Sequence, residues 1–75
     1  MPADTFDSNL EICYEILLYL AARLARLRFG EVFEYTTSDP DAPEKIAAWC
    51  EVRGFPLLLC ESLSDGRSRF LIEKA

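Results

Sequence analysis

The sequence predicts an α+β fold, a two-layer sandwich of order β-α-β-α-β-β in which both helices cover one face of a four-stranded mixed sheet. Three observations predict it. Apolar residues change between strand-like and helix-like spacing along the chain, without an internal repeat. The last two strand patterns are separated only by a short turn. Helices that join parallel strands make right-handed crossovers, which places both helices on the same face.

The first third of the chain predicts a strand followed by a helix. The strand is expected over residues 5–12, with a kink at 8–9. The helix is expected over 14–27, because its apolar residues recur at helical intervals, and Gly30 should end it. Those apolar residues are Leu17, Leu20, Ala21, Leu24 and Leu27.

The second helix has two candidate starts. Asp39 is an N-cap candidate because Pro40 would then be the first helical residue. Asp41 is the other, since Glu44 follows it at the spacing of a capping box. The helix is expected to stop at Gly54. Its expected buried residues are Ile46, Ala47, Trp49 and Cys50.

The remaining strands are predicted over 31–37, 55–61 and 67–73, which are rich in β-branched, aromatic or leucine side chains. Turn residues at 64–66 join the last two into a hairpin. Five apolar residues of that hairpin cannot all face the helices. Either the twisted sheet covers some of them at its edges, or they form a homodimer or partner surface. They are Leu57, Leu58, Leu59, Leu71 and Ile72.

Composition excludes several classes of function. With 75 residues, we predict a single domain, residues 1–75. Eight Lys and Arg against thirteen Asp and Glu give a net charge of −5, which argues against nucleic acid as the main partner. The absence of His excludes catalytic triads and His-containing metal sites. Charged residues interrupt the apolar stretch 10–27, so we expect no membrane span, and the acidic start predicts no signal peptide.

The three cysteines predict neither a zinc site nor a disulfide framework, because their number is odd and no C-x-x-C pair occurs. We therefore expect no cofactor and a reduced, cytoplasmic protein. Cys50 and Cys60 are predicted to be core residues, since they lie in apolar stretches of a helix and a strand. Burial would make both thiols inert.

Cys13 is the candidate functional residue. It is expected where the first strand ends and the first helix begins, where unpaired peptide N–H groups and the helix dipole favour a thiolate. Glu11 and Glu15 oppose this by like-charge repulsion. The alternative is that Cys13 is a small buried hydrophobic residue, as many free cysteines are.

Basic residues at the end of the first helix form a second candidate site. Arg23, Arg26 and Arg28 could dock an acidic partner or the phosphate backbone of an RNA, and the alternative is a solvated face that also stabilises the helix end. Tyr14 and Glu15, which directly follow Cys13, complete the candidate docking residues.

The order of these motifs resembles the TusA/SirA-type sulfur-carrier family over essentially the whole chain. The corresponding stretches are 10–16, Gly30 before the second strand, 38–42 with its Asp-Pro, 46–54, and the hairpin that ends at Lys74. The same element order also resembles the C-terminal domain of a bacterial translation initiation factor, which would imply RNA binding. The net charge argues against that alternative.

The resemblance implies that Cys13 carries a transient persulfide. Carriers of this family receive sulfur from a cysteine desulfurase or a rhodanese-like protein and pass it to an acceptor protein, for example for tRNA thiolation. They are carriers rather than self-contained enzymes. Both prolines of the family's C-P-x-P motif are replaced here, by Tyr14 and Ile16. The alternative is therefore a non-catalytic interaction or regulatory domain on the same fold.

Overall fold

The computed structural model describes residues 2–75 and has the six predicted elements in the predicted order. The first strand pairs with the second in parallel, the other pairings are antiparallel, and the strands lie in the order first, second, fourth, third across the sheet. The predicted fold class is therefore confirmed. No helix within the described residues has the length and apolar character needed to cross a membrane. The elements are β1 Asp4–Ser8, α1 Tyr14–Ala25, β2 Val32–Thr37, α2 Ala42–Arg53, β3 Leu57–Ser62 and β4 Ser68–Glu73.

One hydrophobic core joins both helices to the same face of the sheet. On the sheet side, Phe33 pairs with Ile72 and the neighbouring Tyr35 pairs with Phe70, and all four side chains are buried. The helices bury a stripe of residues against this face. Because both helices follow parallel strands, their N-termini lie at the same end of the sheet. The buried helix residues are Leu20 and Leu24 of α1 and Ala42, Ile46 and Cys50 of α2.

The first strand and the end of the first helix differ from prediction. Strand β1 stops at Ser8, whose hydroxyl accepts a hydrogen bond from the Leu10 N–H at 3.1 Å. The segment up to Ile12 is a loop rather than strand. Helix α1 ends with Arg26 as its C-cap, so Gly30 is not the helix stop. Gly30 instead takes a positive φ of 86° in the turn before β2 and donates its N–H to the Lys74 carbonyl.

The second helix begins at the later of its two predicted starts. Asp41 is the N-cap, and Gly54 ends the helix in the left-handed conformation, as predicted. Ile46 and Cys50 are buried as expected. Ala47 is exposed, which corrects its prediction as a core residue, and Trp49 is half-buried. The reason is register: the buried row is Ala42, Ile46 and Cys50, and Ala47 lies off that row.

The leucine-rich hairpin divides its side chains between the two faces of the sheet. Ile72 is in the core and Leu57 packs against it. One extra residue, Leu58, interrupts the pairing of β3 with β4 and is exposed. Leu59 pairs with Leu71 on the face opposite the helices. That face also carries Arg69, which forms ion pairs with Glu34 and Glu61.

Candidate functional site

Cys13 is an exposed free thiol at the N-cap of α1. Its backbone is extended (φ −136°, ψ 179°), and its carbonyl accepts the first helical hydrogen bond, from the Leu17 N–H at 3.0 Å. The side chain makes no capping hydrogen bond. The N–H groups of the first turn precede that first bond and have no intrahelical acceptor. The thiol is therefore exposed at a helix N-terminus whose first-turn N–H groups have no intrahelical acceptor.

The backbone of Ile12, the residue before Cys13, is bound on both its N–H and its carbonyl side by Asp39 and Lys45. The Ile12 N–H donates to Oδ2 of Asp39 at 2.7 Å, and Nζ of Lys45 donates to the Ile12 carbonyl at 3.2 Å. Lys45 also donates to the same Asp39 oxygen at 2.9 Å. These three residues form a closed set of contacts, which we call the Ile12 brace. It holds the backbone from which the Cys13 thiol projects.

Asp39 is buried and charged, and its partners explain why it stays so. Burial alone would raise the pKa of Asp39, but hydrogen bonds from Lys45, Ile12 and Asp41 outweigh it and lower that pKa below its ordinary value. The hydrogen bond to Asp39 in turn raises the pKa of Lys45. The brace is therefore an ion pair across the range of neutral pH. Asp41 rather than Asp39 is the N-cap of α2, which corrects the prediction for Asp39. Asp39 nevertheless contacts both segments: its Oδ1 accepts a hydrogen bond from the Asp41 N–H at 2.8 Å, and its Oδ2 accepts the one from Ile12.

A groove of about 490 Å³ lies beside the Cys13 thiol, and we call it the Cys13 groove. One wall comes from the α1 side and consists of Ile12, Cys13, Tyr14 and Leu17. The other comes from α2 and consists of Lys45, Ala48, Trp49 and Val52, which share one helical face. Apart from Lys45 and the thiol, the lining is apolar. The side chains of Tyr14 and Val52 remain 75% and 84% exposed, so the groove is open to solvent.

The candidate docking residues fall into three groups. Tyr14 and Glu15 lie beside Cys13 and are exposed. Arg23 is already engaged: it donates two hydrogen bonds to the Asp4 carboxylate, at 2.7 and 2.6 Å, and one to the hydroxyl of Tyr19. Its guanidinium also lies over the Phe6 ring. Arg23 therefore ties α1 to β1.

Arg26 and Arg28 lie at the far end of the first helix. Both are exposed, and neither forms an ion pair with the described residues. Thirteen residues separate Arg26 from Cys13, which is about 20 Å at 1.5 Å per helical residue. These two arginines and the Cys13 groove are therefore separate surfaces.

The other two cysteines have different environments. Cys50 is buried in the core as predicted, and burial raises its pKa to about 11. Cys60 is exposed, which corrects its prediction as a core residue. It lies on β3, the last strand of the sheet, where a side chain has a neighbouring strand on one side only. Both thiols are free.

Sequence reasoning missed the Ile12 brace and the α2 wall of the groove. The brace has a weak signal, an Asp-Pro before a helix with Lys45 six residues after the aspartate. The wall has a clearer one: Ala48, Trp49 and Val52 form an apolar row beside the core row of α2. A second apolar row on a helix that already has a core row indicates an uncovered surface.

Comparison with known proteins supplies one match. The family model described as Sulfurtransferase TusA matches residues 5–74. A comparison with curated proteins found no match. Within residues 2–75, no group of three or more Cys, Asp or Glu side chains is arranged to hold a metal ion.

Proposed function

The chain belongs to the TusA sulfurtransferase family, and from this premise we propose that it carries sulfur as a persulfide on Cys13. Membership of this family implies that the chain functions in sulfur transfer in general terms and interacts with other proteins. The observation that carries the finer proposal is the position of Cys13. It is the exposed thiol at a helix N-terminus, with its backbone fixed by the Ile12 brace.

The proposed step is an exchange at sulfur. The Cys13 thiolate attacks the terminal sulfur of a persulfide on a donor protein, such as a cysteine desulfurase or a rhodanese-like protein. A sulfur–sulfur bond forms at Cys13 while the donor's sulfur–sulfur bond breaks, and the donor cysteine leaves as a thiolate. The terminal sulfur keeps its proton, and no external oxidant or reductant is used. The reverse of this step delivers the sulfur to an acceptor protein, and tRNA thiolation is one pathway that such an acceptor would serve.

Replacement of the two motif prolines changes the number of N–H donors at the start of α1. A proline at the first helical position has no N–H, whereas Tyr14 and Ile16 each have one. In this chain the first turn therefore has additional donors for an anionic sulfur. Without prolines the backbone at the helix start is less rigid. The Ile12 brace compensates, because it binds both the N–H and the carbonyl of Ile12, the residue before Cys13.

The candidate docking residues differ in their distance from Cys13, and we assign them to different parts of the partner surface. Tyr14 and Glu15 contact the partner that delivers or receives sulfur, because they adjoin Cys13. Arg26 and Arg28 contact an acidic surface farther along the same partner. Two exposed free thiols, Cys13 and Cys60, fit a reducing compartment such as the cytoplasm.

The test is sulfur uptake measured by intact mass. The protein is incubated with a cysteine desulfurase and cysteine, and Cys13 is expected to gain one sulfur atom. Cys13→Ser should abolish the gain, whereas Cys60→Ser, which removes the other exposed thiol, should leave it unchanged. No gain, or an equal gain in Cys13→Ser, contradicts the proposal. In that case an unchanged partner affinity in Cys13→Ala would favour the alternative, a non-catalytic interaction domain.

A further inference from the structure

We propose that the Cys13 groove receives an apolar side chain that neighbours the reactive cysteine of a partner protein, on a partner surface that is basic. The inference rests on the proposed function, since it names the chemistry of the partner at that same site. Three observations carry it: the position of the thiol in the groove wall, the apolar lining, and the charges near the groove.

The position of the thiol forces the partner to cover the groove. Sulfur exchange requires the partner's sulfur to approach the Cys13 sulfur to bonding distance, which is about 2 Å in a disulfide. The two backbones are then only several Å apart, since bridged cysteines have Cα atoms about 4–7 Å apart. Because Cys13 is itself part of the groove wall, residues next to the partner's cysteine must lie over the groove.

The lining selects an apolar occupant. Leu17, Ala48, Trp49 and Val52 present hydrocarbon and aromatic surface, and Val52 is almost fully exposed. Burying such surface against an apolar side chain is favourable, whereas a polar side chain would lose hydration there without gaining a partner. The one basic residue of the lining, Lys45, already donates to Asp39 and to the Ile12 carbonyl.

The charges near the groove favour a basic partner. Four carboxylates lie on the two segments that form the groove walls, and none forms an ion pair with the described residues. Two flank Cys13 in sequence, and two lie on α2 in the row next to Ala48. The charge of Lys45 is balanced by Asp39, so the four carboxylates outnumber the one unpaired cation of these segments, Arg53, whose guanidinium lies over the Phe55 ring. The four are Glu11, Glu15, Glu44 and Glu51, and all are exposed.

The experiment uses short peptides as probes, each with a central cysteine activated as a mixed disulfide with nitrothiobenzoate. Cys13 attacks the peptide sulfur, a new disulfide forms, and nitrothiobenzoate leaves as a coloured thiolate. One peptide has leucines beside the cysteine and lysines at its ends. A second replaces the lysines by glutamates, and a third replaces the leucines by glycines. The protein carries Cys60→Ser, and mass spectrometry verifies that Cys13 is the residue modified.

The lysine and leucine peptide is expected to react about fivefold faster than the glutamate peptide, since each exposed charge pair contributes modestly. Raising the salt concentration should reduce this ratio. Glu11→Lys with Glu15→Lys should reverse it, whereas Glu73→Lys, on β4 and outside the groove, should not. Ala48→Trp fills the groove and should remove the preference for leucine over glycine. Ala47→Trp is the matched control, because Ala47 is exposed on the same helix but does not line the groove.

Equal rates with all three peptides would overturn the inference, and so would equal effects of Ala47→Trp and Ala48→Trp. A dimer in sedimentation that Ala48→Trp abolishes would overturn it too, because a second copy would then occupy the groove. Sulfur uptake separates this result from the proposed function. Uptake at Cys13 without peptide discrimination rejects the groove proposal alone, and discrimination without uptake rejects the persulfide proposal alone.

Discussion

Cys13 and Cys60 are both exposed free thiols, yet their surroundings differ in almost every other respect. Cys13 precedes the free N–H groups of a helix, follows a residue held by the ion pair of buried Asp39 with Lys45, and faces an apolar groove. Cys60 lies on an edge strand opposite Phe70, in ordinary strand backbone. The comparison teaches that exposure alone does not make a sulfur site. The backbone on which the thiol is mounted distinguishes the two.

The third cysteine makes the comparison measurable. Cys50 is sealed in the core, so a reagent reaches it only when the protein opens. Alkylation of Cys13 therefore reports on the groove loop, alkylation of Cys60 reports on the sheet edge, and alkylation of Cys50 reports on unfolding. A variant that affects the loop alone changes the first rate and leaves the other two unchanged.

The largest effect is expected from Asp39→Ala. It leaves the Ile12 N–H and the Lys45 ammonium without their buried acceptor, which should lower the free energy of unfolding by about 2–3 kcal/mol. Sulfur uptake at Cys13 should fall about tenfold because the thiol loses its fixed position. Denaturant unfolding and uptake by mass measure the two effects. Asp65→Ala, which removes an exposed carboxylate paired with Arg67, is the control and should change neither. A tenfold loss of sulfur uptake in Asp65→Ala would contradict a specific role for the Ile12 brace.

Acid should weaken the same brace. Since the pKa of Asp39 is lower in the folded protein than its ordinary value of 3.8, its contribution is complete above that value and is lost as the pH falls through the lower, folded value. The free energy of unfolding should therefore decrease as the pH falls below about 4. Its dependence on pH should be weaker in Asp39→Asn. The hydrogen bond from Arg23 also lowers the pKa of Asp4, so the stability of Asp39→Asn should still depend on pH to some extent. Urea titrations at several pH values measure it, and identical slopes would contradict the assignment.

A smaller effect is expected from Tyr14→Pro, which restores one proline of the family motif. The site accepts it, because Tyr14 is the first helical residue and Cys13 already has the extended backbone that precedes proline. Stability should rise by about 0.4–1 kcal/mol through the unfolded chain. Sulfur uptake should nevertheless fall, because one N–H donor next to the sulfur is removed. Thermal unfolding and intact mass measure the two changes, and an increase in uptake would show that the lost N–H is not used.

The smallest effect is expected from Tyr35→Phe. The buried hydroxyl of Tyr35 forms no well-aligned hydrogen bond among residues 2–75. Burial raises its pKa, although the nearby side chains of Thr37 and Ser8 partly offset that increase. Removing the hydroxyl recovers its desolvation cost but also loses its weak contacts with Thr37 and Ser8, so stability should change by less than about 0.5 kcal/mol in either direction. A destabilisation of several times that size, measured by denaturant unfolding, would show that the hydroxyl is bonded in solution.

The sequence predicted those parts of the molecule that depend on local pattern. The apolar row of α1, the stop at Gly54 and the position of Cys13 before a helix all follow from spacing and from residue type. The exposure of Cys60 could not be predicted, because a leucine-rich strand reads the same at the edge of a sheet and in its centre.

The Ile12 brace could not be predicted for a different reason. Its partners are 27 and 33 residues away from Ile12 along the chain, and two of its four hydrogen-bonding groups are backbone groups that any sequence supplies. Asp39 had a sound local interpretation at the helix start, where its Oδ1 does accept from the Asp41 N–H, but nothing local indicates the tertiary contact of its Oδ2 with Ile12. Sequence reasoning thus located the thiol but not the structure that positions it.

The extra residue in β3 has a consequence for handling the protein at high concentration. Three consecutive leucines on an unpaired sheet edge would normally favour edge-to-edge aggregation into extended sheets. The bulge at Leu58 breaks the regular row of donors and acceptors that a second strand would need. Deleting Leu58 would straighten this edge, and the shortened chain should then form fibrils under conditions in which the parent chain stays dispersed.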